Sequence, residues 1–406
     1  MAKSNLIVGL DIGSTKVCCL VAQPKENESL EIIGLGMAPS EGLKSGVVVN
    51  IESTVESIQK AVEEAELMAG IEISRVFTGI AGNHIKGFNS HGLIIINDKE
   101  VKKKDVQRVI DNATAVAMPR DREIIHVIPQ EYIIDDQGGI KEPVGMAGVR
   151  LEAKVHIVTG AVTSIQNVVK SCNKAGLEIE DVVLQQFASG EAVLSSDEKE
   201  LGVALLDIGG GSTDIAIYYN GCIKFTSMID LGGNHVTNDI AVGLRASRKE
   251  AEKIKTRYGC AYSALVKPDE KIEVDRISGK EPTILSRKIL SEIIQPRVEE
   301  IFSIARQEIR KSGIEDLIAS GIVLTGGASL LPGTQEVAEQ VFELPVRIGS
   351  PSEMDGGLVE KVKNPMYSTA VGLILYGSKS MGDSMPDTQG MGGLFKKAMG
   401  WFQEFV

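Results

Sequence analysis

The sequence predicts an α/β chain of two similar domains that face each other across a phosphate-binding cleft. Three glycine turns carry that reading. Residues 205–218 (LLDIGGGSTDIAIY) run from an apolar strand through Asp207 into Gly209, Gly210, Gly211, Ser212 and Thr213, then into a second apolar strand. Residues 8–21 (VGLDIGSTKVCCLV) repeat the device with Asp11, Gly13, Ser14 and Thr15. Residues 323–329 (VLTGGAS) end another apolar run in Gly326, Gly327 and Ala328. Consecutive glycines let backbone N–H groups converge on an anion, because no Cβ obstructs the approach. An aspartate at the strand end is placed to organise Mg²⁺ through water, since this ion keeps much of its hydration shell. The P-loop lysine is absent and the glycines lead into a strand, so this is neither a P-loop nor a dinucleotide fingerprint.

The three turns together resemble the actin-like ATPase superfamily. Longer segments narrow the resemblance to the FtsA family of bacterial cell-division proteins: residues 126–160 (HVIPQEYIIDDQGGIKEPVGMAGVRLEAKVHIVTG), 184–194 (LQQFASGEAVL), 230–241 (DLGGNHVTNDIA) and 392–402 (GGLFKKAMGWF). The resemblance covers nearly the whole chain. It implies an actin-like (ribonuclease H-like) fold around a nucleotide cleft, with an inserted α+β subdomain. It also implies ATP and Mg²⁺ as ligands. Asp11 and Asp207 would then serve the metal, and Gly13, Ser14, Thr15, Lys16 and Gly209 to Thr213 the phosphates. Gly326, Gly327 and Ala328 would face the adenosine. Glu252 and Lys255, one turn apart behind the Gly232-Gly233-Asn234 turn, match the adenosine-contacting helix of heat-shock chaperones. Those chaperones follow the lysine with arginine, and this chain has Thr256. In relatives a Glu or Gln at the start of the helix after residue 184 positions water, and Gln185 or Gln186 matches. A neutral amide is a poor general base, so any ATPase activity is expected to be slow.

Composition bounds the alternatives. The 406 residues allow two or more domains, and 43% hydrophobic with 24% charged residues describe a globular chain. A net charge of −12 argues against nucleic acid as the main partner. Five cysteines give no disulfide framework, and Cys18 and Cys19 sit in a buried-strand pattern. The five histidines lack metal-ligand spacing. No signal peptide and no apolar run of spanning length is visible, so membrane contact is expected to be peripheral.

In chain order, residues 6–50 read as strands. Ser53 and Glu56 form a capping-box signature opening an amphipathic helix with Val55, Ile58, Val62 and Ala65 on one face. These belong to domain I, assigned to residues 1–83, 163–194 and 361–377. Residues 84–162 form the inserted subdomain: a strand, a helix from Asp105 ended by Pro119, two strands and a glycine-rich turn at residues 137–149. The resemblance implies that this subdomain mediates self-assembly. A helix over residues 164–175 and a strand over 179–185 return to domain I, and a helix over 186–194 crosses to domain II (residues 195–229 and 303–360). Residues 230–302 form its helical subdomain, with helices over 248–258 and 286–310, the latter kinked at Pro296. Residues 351–364 read as a polar loop, 367–376 as the last core helix and 378–393 as a flexible linker.

Residues 394–406 (LFKKAMGWFQEFV) are expected to form an in-plane amphipathic helix. Leu394, Phe395, Met399, Trp401, Phe402 and Phe405 fall with Ala398 and Val406 in one arc about 160° wide. The favoured function is an ATP-binding actin homologue that polymerises and tethers the division ring to the cytoplasmic face of the cell membrane at the septum. Its implied partner is the C-terminal tail of the tubulin homologue FtsZ, received near Arg287, Lys288 and Arg297, cations suited to an acidic or carboxylate-ended peptide. An actin-like adaptor of a pilus machine is one alternative. A small-molecule kinase of the sugar-kinase type is another, but the sequence offers no catalytic aspartate for it. Only about 30 residues follow the last core helix, too few for the peptide-binding domain of a chaperone ATPase.

Overall fold

The computed structural model describes residues 6–25, 29–275, 282–352, 354 and 356–382. The amphipathic helix expected at 394–406 lies outside them. Two five-stranded sheets share one plan. In the first, the strands Ile7–Ile12, Lys16–Pro24 and Leu30–Pro39 form an antiparallel meander, and Arg75–Ile80 and Glu178–Leu184 extend it in parallel. In the second, Val203–Ile208, Thr213–Tyr219 and Cys222–Ile229 form the meander, extended in parallel by Ile322–Thr325 and Val346–Ile348. The opening strands are buried along their whole length, as strands covered on both faces must be.

Two helices lie between the sheets. The crossing helix Gln185–Val193 carries the chain from the first sheet to the second, and the closing helix Ser368–Gly382 comes back under the first. Their inner faces share one core, in which Leu20 and Ala22 of the first sheet meet Leu205, Ala216 and Tyr218 of the second around Ala188, Leu373 and Ile374. The outer face of the first sheet packs on the helices Ile51–Ala69 and Val162–Lys174. The outer face of the second packs on Gly233–Leu244, Arg248–Tyr258 and Arg287–Lys311.

Residues 86–161 build a separate four-stranded sheet with the strand order Lys86–Ile95, Arg150–Ala161, Arg122–Ile134, Gln137–Ile140, covered by the helix Lys103–Thr114. The insert leaves domain I but rests on the second sheet. His156 contacts Asn89 Oδ1 at 2.7 Å and Thr226 Oγ1 at 2.9 Å, and Gln130 Nε2 donates to the Ile223 carbonyl at 2.8 Å.

Several elements differ from the sequence expectation. The helix expected to open at Ser53 starts at Ile51, because the Asn50 side chain accepts from the Ser53 N–H at 3.2 Å and caps it first. The helix of the insert ends at Thr114, not at Pro119; the Thr114 hydroxyl takes the Asp111 carbonyl at 3.0 Å. Part of the expected glycine-rich turn is the edge strand Gln137–Ile140. The boundary placed at 302/303 falls inside one continuous helix, Arg287–Lys311, which carries Pro296 in its interior. The polar loop at 351–364 buries Met354, Val359 and Val362 and contains a short helix, Val359–Val362. The closing helix runs five residues into the stretch expected as linker.

Two buried histidines give the fold a pH dependence. His126 Nε2 accepts the Leu184 N–H at 3.0 Å, and its ring packs edge-on against Phe187 and Tyr376. Burial pushes both His126 and His156 down to about 4. A folded-state pKa below the unfolded value means that protonation favours the unfolded chain. The stability of the neutral rings is therefore present above about pH 6.5 and is lost as the pH falls towards 4, by roughly 2–3 kcal/mol per ring. His126→Gln keeps an acceptor without the titration. Urea unfolding from pH 7.5 to 4.5 should fall less steeply for this variant than for the wild type; parallel profiles would refute the assignment.

Candidate functional site

The two meanders present matching hairpin turns to each other. In the first, Ile12 pairs with Val17 and Gly13 N donates to Lys16 O at 3.0 Å. In the second, Ile208 pairs with Thr213 and Gly209 N donates to Ser212 O at 2.9 Å. Both loops therefore hold four residues in the same register. They meet face to face. A Cβ on Gly210 would lie 1.8 Å from Thr15 Oγ1, and one on Gly211 would lie 2.8 Å from Ser14 Oγ. Ser14 Oγ in turn accepts from the Gly46 N–H at 2.8 Å. Glycine at 210 and 211 thus lets the opposing hydroxyls approach closely and leaves the backbone N–H groups open to an anion.

Three carboxylates converge here. Asp11 and Asp207 lie one residue before the ends of their strands, and Asp214 pairs with Asp207 across the second hairpin. Burial pushes Asp207 up to about 6, helped by the charge of Asp11 and opposed by hydrogen bonds from Ser189 and Thr369. Burial and the charge of Asp207 push Asp214 up to about 8. Burial alone would lower the Lys16 ammonium, but the Asp11 carboxylate at 3.4 Å overrides it and raises the pKa. The site is thus short of positive charge and supplies hard oxygen donors, which suits a magnesium ion. Among the described residues no three acidic, histidine or cysteine groups form a metal cage. A cation would complete its shell with water and ligand oxygens, the usual manner of Mg²⁺ at phosphates.

The turns line a cavity of about 450 Å³. Its wall includes Gly233 and Asn234, whose N–H groups hold the Gly209 and Gly210 carbonyls at 2.9 and 2.8 Å. Lys255 Nζ binds Gly233 O at 3.1 Å, Thr237 Oγ1 at 2.9 Å and Glu252 at 2.8 Å. Its three donors are all engaged, so Lys255 braces the wall and orients Glu252. The lining also includes the apolar side chains of Val236, Val298, Ile301, Phe302, Leu331 and Met366, together with Gly327 and Ala328. Gly327 lines the cavity, and a Cβ there would sit in van der Waals contact with Met366 Cβ at 3.8 Å. A lining that combines carboxylates, glycine turns and apolar side chains fits a nucleotide, whose phosphates and metal need the first two and whose flat base needs the last.

Of the two glutamines, Gln185 faces the cavity and donates to Asp11 Oδ1 at 3.1 Å. Gln186 is buried outside it, with Oε1 unpartnered. Thr213 also turns away, donating to the Leu231 carbonyl, and Gly232 lies behind the wall with its N–H on His235 Nδ1. Arg287 is paired with Glu270, and Arg297 with Asp239 and Glu300, while Lys288 is exposed. Sequence reading missed Asp214, although a carboxylate in an apolar strand is itself a signal. It also missed Thr369 and the apolar wall of the long helix, whose positions depend on tertiary packing.

Solved structures share this architecture. The PilM-PilN type IV pilus biogenesis complex matches with a TM-score of 0.67 at 17% identity, over 92% of this chain and 98% of that one. MreB5 of Spiroplasma citri bound to ADP matches with a TM-score of 0.56 at 15% identity, over 93% and 99%. The fold is that of the actin-like ATPases. Residues 204–372 match the family model described as cell division protein FtsA, and residues 82–159 the model of the SHS2 domain inserted in FtsA. The cell division protein FtsA of Pseudomonas aeruginosa is 52% identical over 94% of this chain and 91% of its own length. That of Neisseria meningitidis is 45% identical over 97% of each, and that of Escherichia coli K12 42% identical over 93% and 91%. The chain belongs to the FtsA family of cell-division proteins.

The apposition of the hairpins is testable without a ligand. Gly210→Ala should force the turns apart and raise hydrogen exchange in residues 11–16 and 209–213. Removing the opposing side chain with Thr15→Gly should restore protection in the double variant. Unchanged exchange in the single variant would mean that the turns do not touch.

Proposed function

We propose that this division protein binds Mg·ATP in the cleft and uses it mainly as a conformational ligand for filament assembly. The observation that carries the reading is the pair of register-matched hairpins that bring Asp11 and Asp207 to the wall of one cavity. Asp11 and Asp207 would serve Mg²⁺, which would screen charge on the phosphates. Ser14, Thr15, Lys16 and Gly209 to Ser212 would hold the phosphates, and the apolar side chains of the lining the base. Gln185 is the better placed of the two glutamines to orient a water. That MreB5 of Spiroplasma citri is described with ADP and with AMPPNP supports a nucleotide. A ligand can bias assembly only through different affinities for two states, and a site built from both sheets has that property.

In the same proposal the chain tethers the FtsZ ring to the membrane. The helical region at 230–302 would receive the FtsZ tail; of Arg287, Lys288 and Arg297, Lys288 is the exposed one, since the two arginines already hold carboxylates. No described helix is long and apolar enough to cross a membrane. The apolar arc of residues 394–406, with the chain's single tryptophan, would supply a peripheral anchor. One such tail binds reversibly, and a filament presenting many gains by avidity.

Two measurements test the two halves. Asp207→Ala should abolish and Asp11→Ala weaken binding of a fluorescent ATP analogue, each by roughly 2–5 kcal/mol; unchanged affinity in both would remove the cleft assignment. Trp401→Glu places a charge within the apolar arc and should release the chain from anionic liposomes while nucleotide binding survives. Full co-sedimentation of that variant would place any membrane contact elsewhere.

A further inference from the structure

We propose that Thr369 is a positioning residue for the cation site, holding the Asp207 carboxylate of the second sheet from a helix fastened to the first. The proposal rests on the nucleotide reading above and concerns how the cleft is coupled to its metal.

The closing helix lies directly on the first sheet. A Cβ on Gly9 would stand 2.7 Å from the Ala370 carbonyl, and one on Gly377 2.7 Å from the Phe77 ring. Yet its first two residues bond to the second sheet. Ser368 Oγ and Thr325 Oγ1 share a hydrogen bond of 2.7 Å, and Thr369 Oγ1 donates to Asp207 Oδ2 at 3.2 Å. Asp207 and Thr325 are register partners on neighbouring parallel strands. Two successive hydroxyls therefore tie one helix end to one level of the opposite sheet, and all four residues are buried.

Thr369 differs from Ser368 in what it holds. The other oxygen of Asp207 is packed against Gly326, which adopts φ +83°; a Cβ there would lie 2.4 Å from Oδ1. The carboxylate is thus bounded by the Thr369 hydroxyl at Oδ2 and a bare Cα at Oδ1, while the Ser189 hydroxyl that also hydrogen-bonds it comes from the crossing helix. Turning it would break the hydroxyl bond or press it on Gly326. Such a hold pre-orients the acid for a cation and costs little on binding. Because donor and acceptor sit on different halves of the cleft, movement of the sheets apart would release the carboxylate, and cation binding would favour the joined state.

The test measures binding of a fluorescent ATP analogue to the full chain across a Mg²⁺ titration and in EDTA, with thermal melts alongside. Thr369→Val keeps the shape and removes the donor. It should raise the half-saturating Mg²⁺ concentration about ten-fold, the size of one charge-assisted hydrogen bond, with affinity in EDTA unchanged. Thr369→Ser should restore the wild-type midpoint. Ser368→Ala breaks the neighbouring bond and should lower the melting temperature without moving the midpoint. The proposal is overturned if Thr369→Val keeps the wild-type midpoint, if it weakens binding equally in EDTA, or if Ser368→Ala shifts the midpoint as much. Absence of Mg²⁺-dependent binding in the wild-type chain is a separate result, which removes the nucleotide reading itself.

Discussion

The fold depends on one helix contact. An ideal Cβ on Gly372 of the closing helix would lie 1.8 Å from the Ala188 carbonyl of the crossing helix, so the two backbones touch without side chains between them. On its other side the crossing helix is just as close, since a Cβ on Gly190 would lie 2.2 Å from Tyr218 Oη. The small residues of Ala188-Ser189-Gly190 are what this double contact requires. Both sheets bury their inner faces on this helix pair, so its thickness sets the width of the cleft. The same two helices supply Gln185 to Asp11 and both Ser189 and Thr369 to Asp207.

The paired hairpins show how a repeated motif becomes two different instruments. Position by position, Gly13, Ser14, Thr15 and Lys16 correspond to Gly209, Gly210, Gly211 and Ser212. Across the cleft Ser14 meets Gly211 and Thr15 meets Gly210, the second position of each turn against the third of the other. Where one turn carries a side chain, the other has none. The residue after the turn that faces the aspartate before it is Cys18 in one case and Asp214 in the other. The second half is therefore richer in carboxyl groups, with Asp214 held towards its neutral form by burial and by Asp207, and the first brings the lysine.

Much of this was legible in the sequence because the chemistry is local. Asp-x-Gly followed by hydroxyls between two apolar runs marks the turns, and helical periodicity over 248–258 matches the helix Arg248–Tyr258 end to end. What was not legible depends on distance along the chain. Thr369 lies 162 residues from Asp207, and nothing in its own neighbourhood marks it as a partner of a carboxylate. Val298, Ile301 and Phe302 have the spacing of an ordinary core face, and only packing makes them the floor of a cavity. The choice between Gln185 and Gln186 turns on which side of a helix faces inward at its first turn, a rotation that adjacent residues cannot reveal. Asn50 displaced Ser53 as the cap because both are good caps and the earlier one fits the chain's approach.

The insert is joined to both halves in different ways. Covalently it continues the first sheet, but its strands Lys86–Ile95 and Arg150–Ala161 are held to the edge strand of the second through Asn89, His156 and Thr226. Glycine at position 87 lets the surfaces close, since a Cβ there would lie 2.2 Å from Thr226 Oγ1. The insert thus adds a hydrogen-bonded link between the halves to the rigid one through the helix pair. A hinge spanned by a second strut cannot turn freely. Either the strut slips at its polar contacts, or it swings with the second sheet and changes the outline the molecule shows its neighbours.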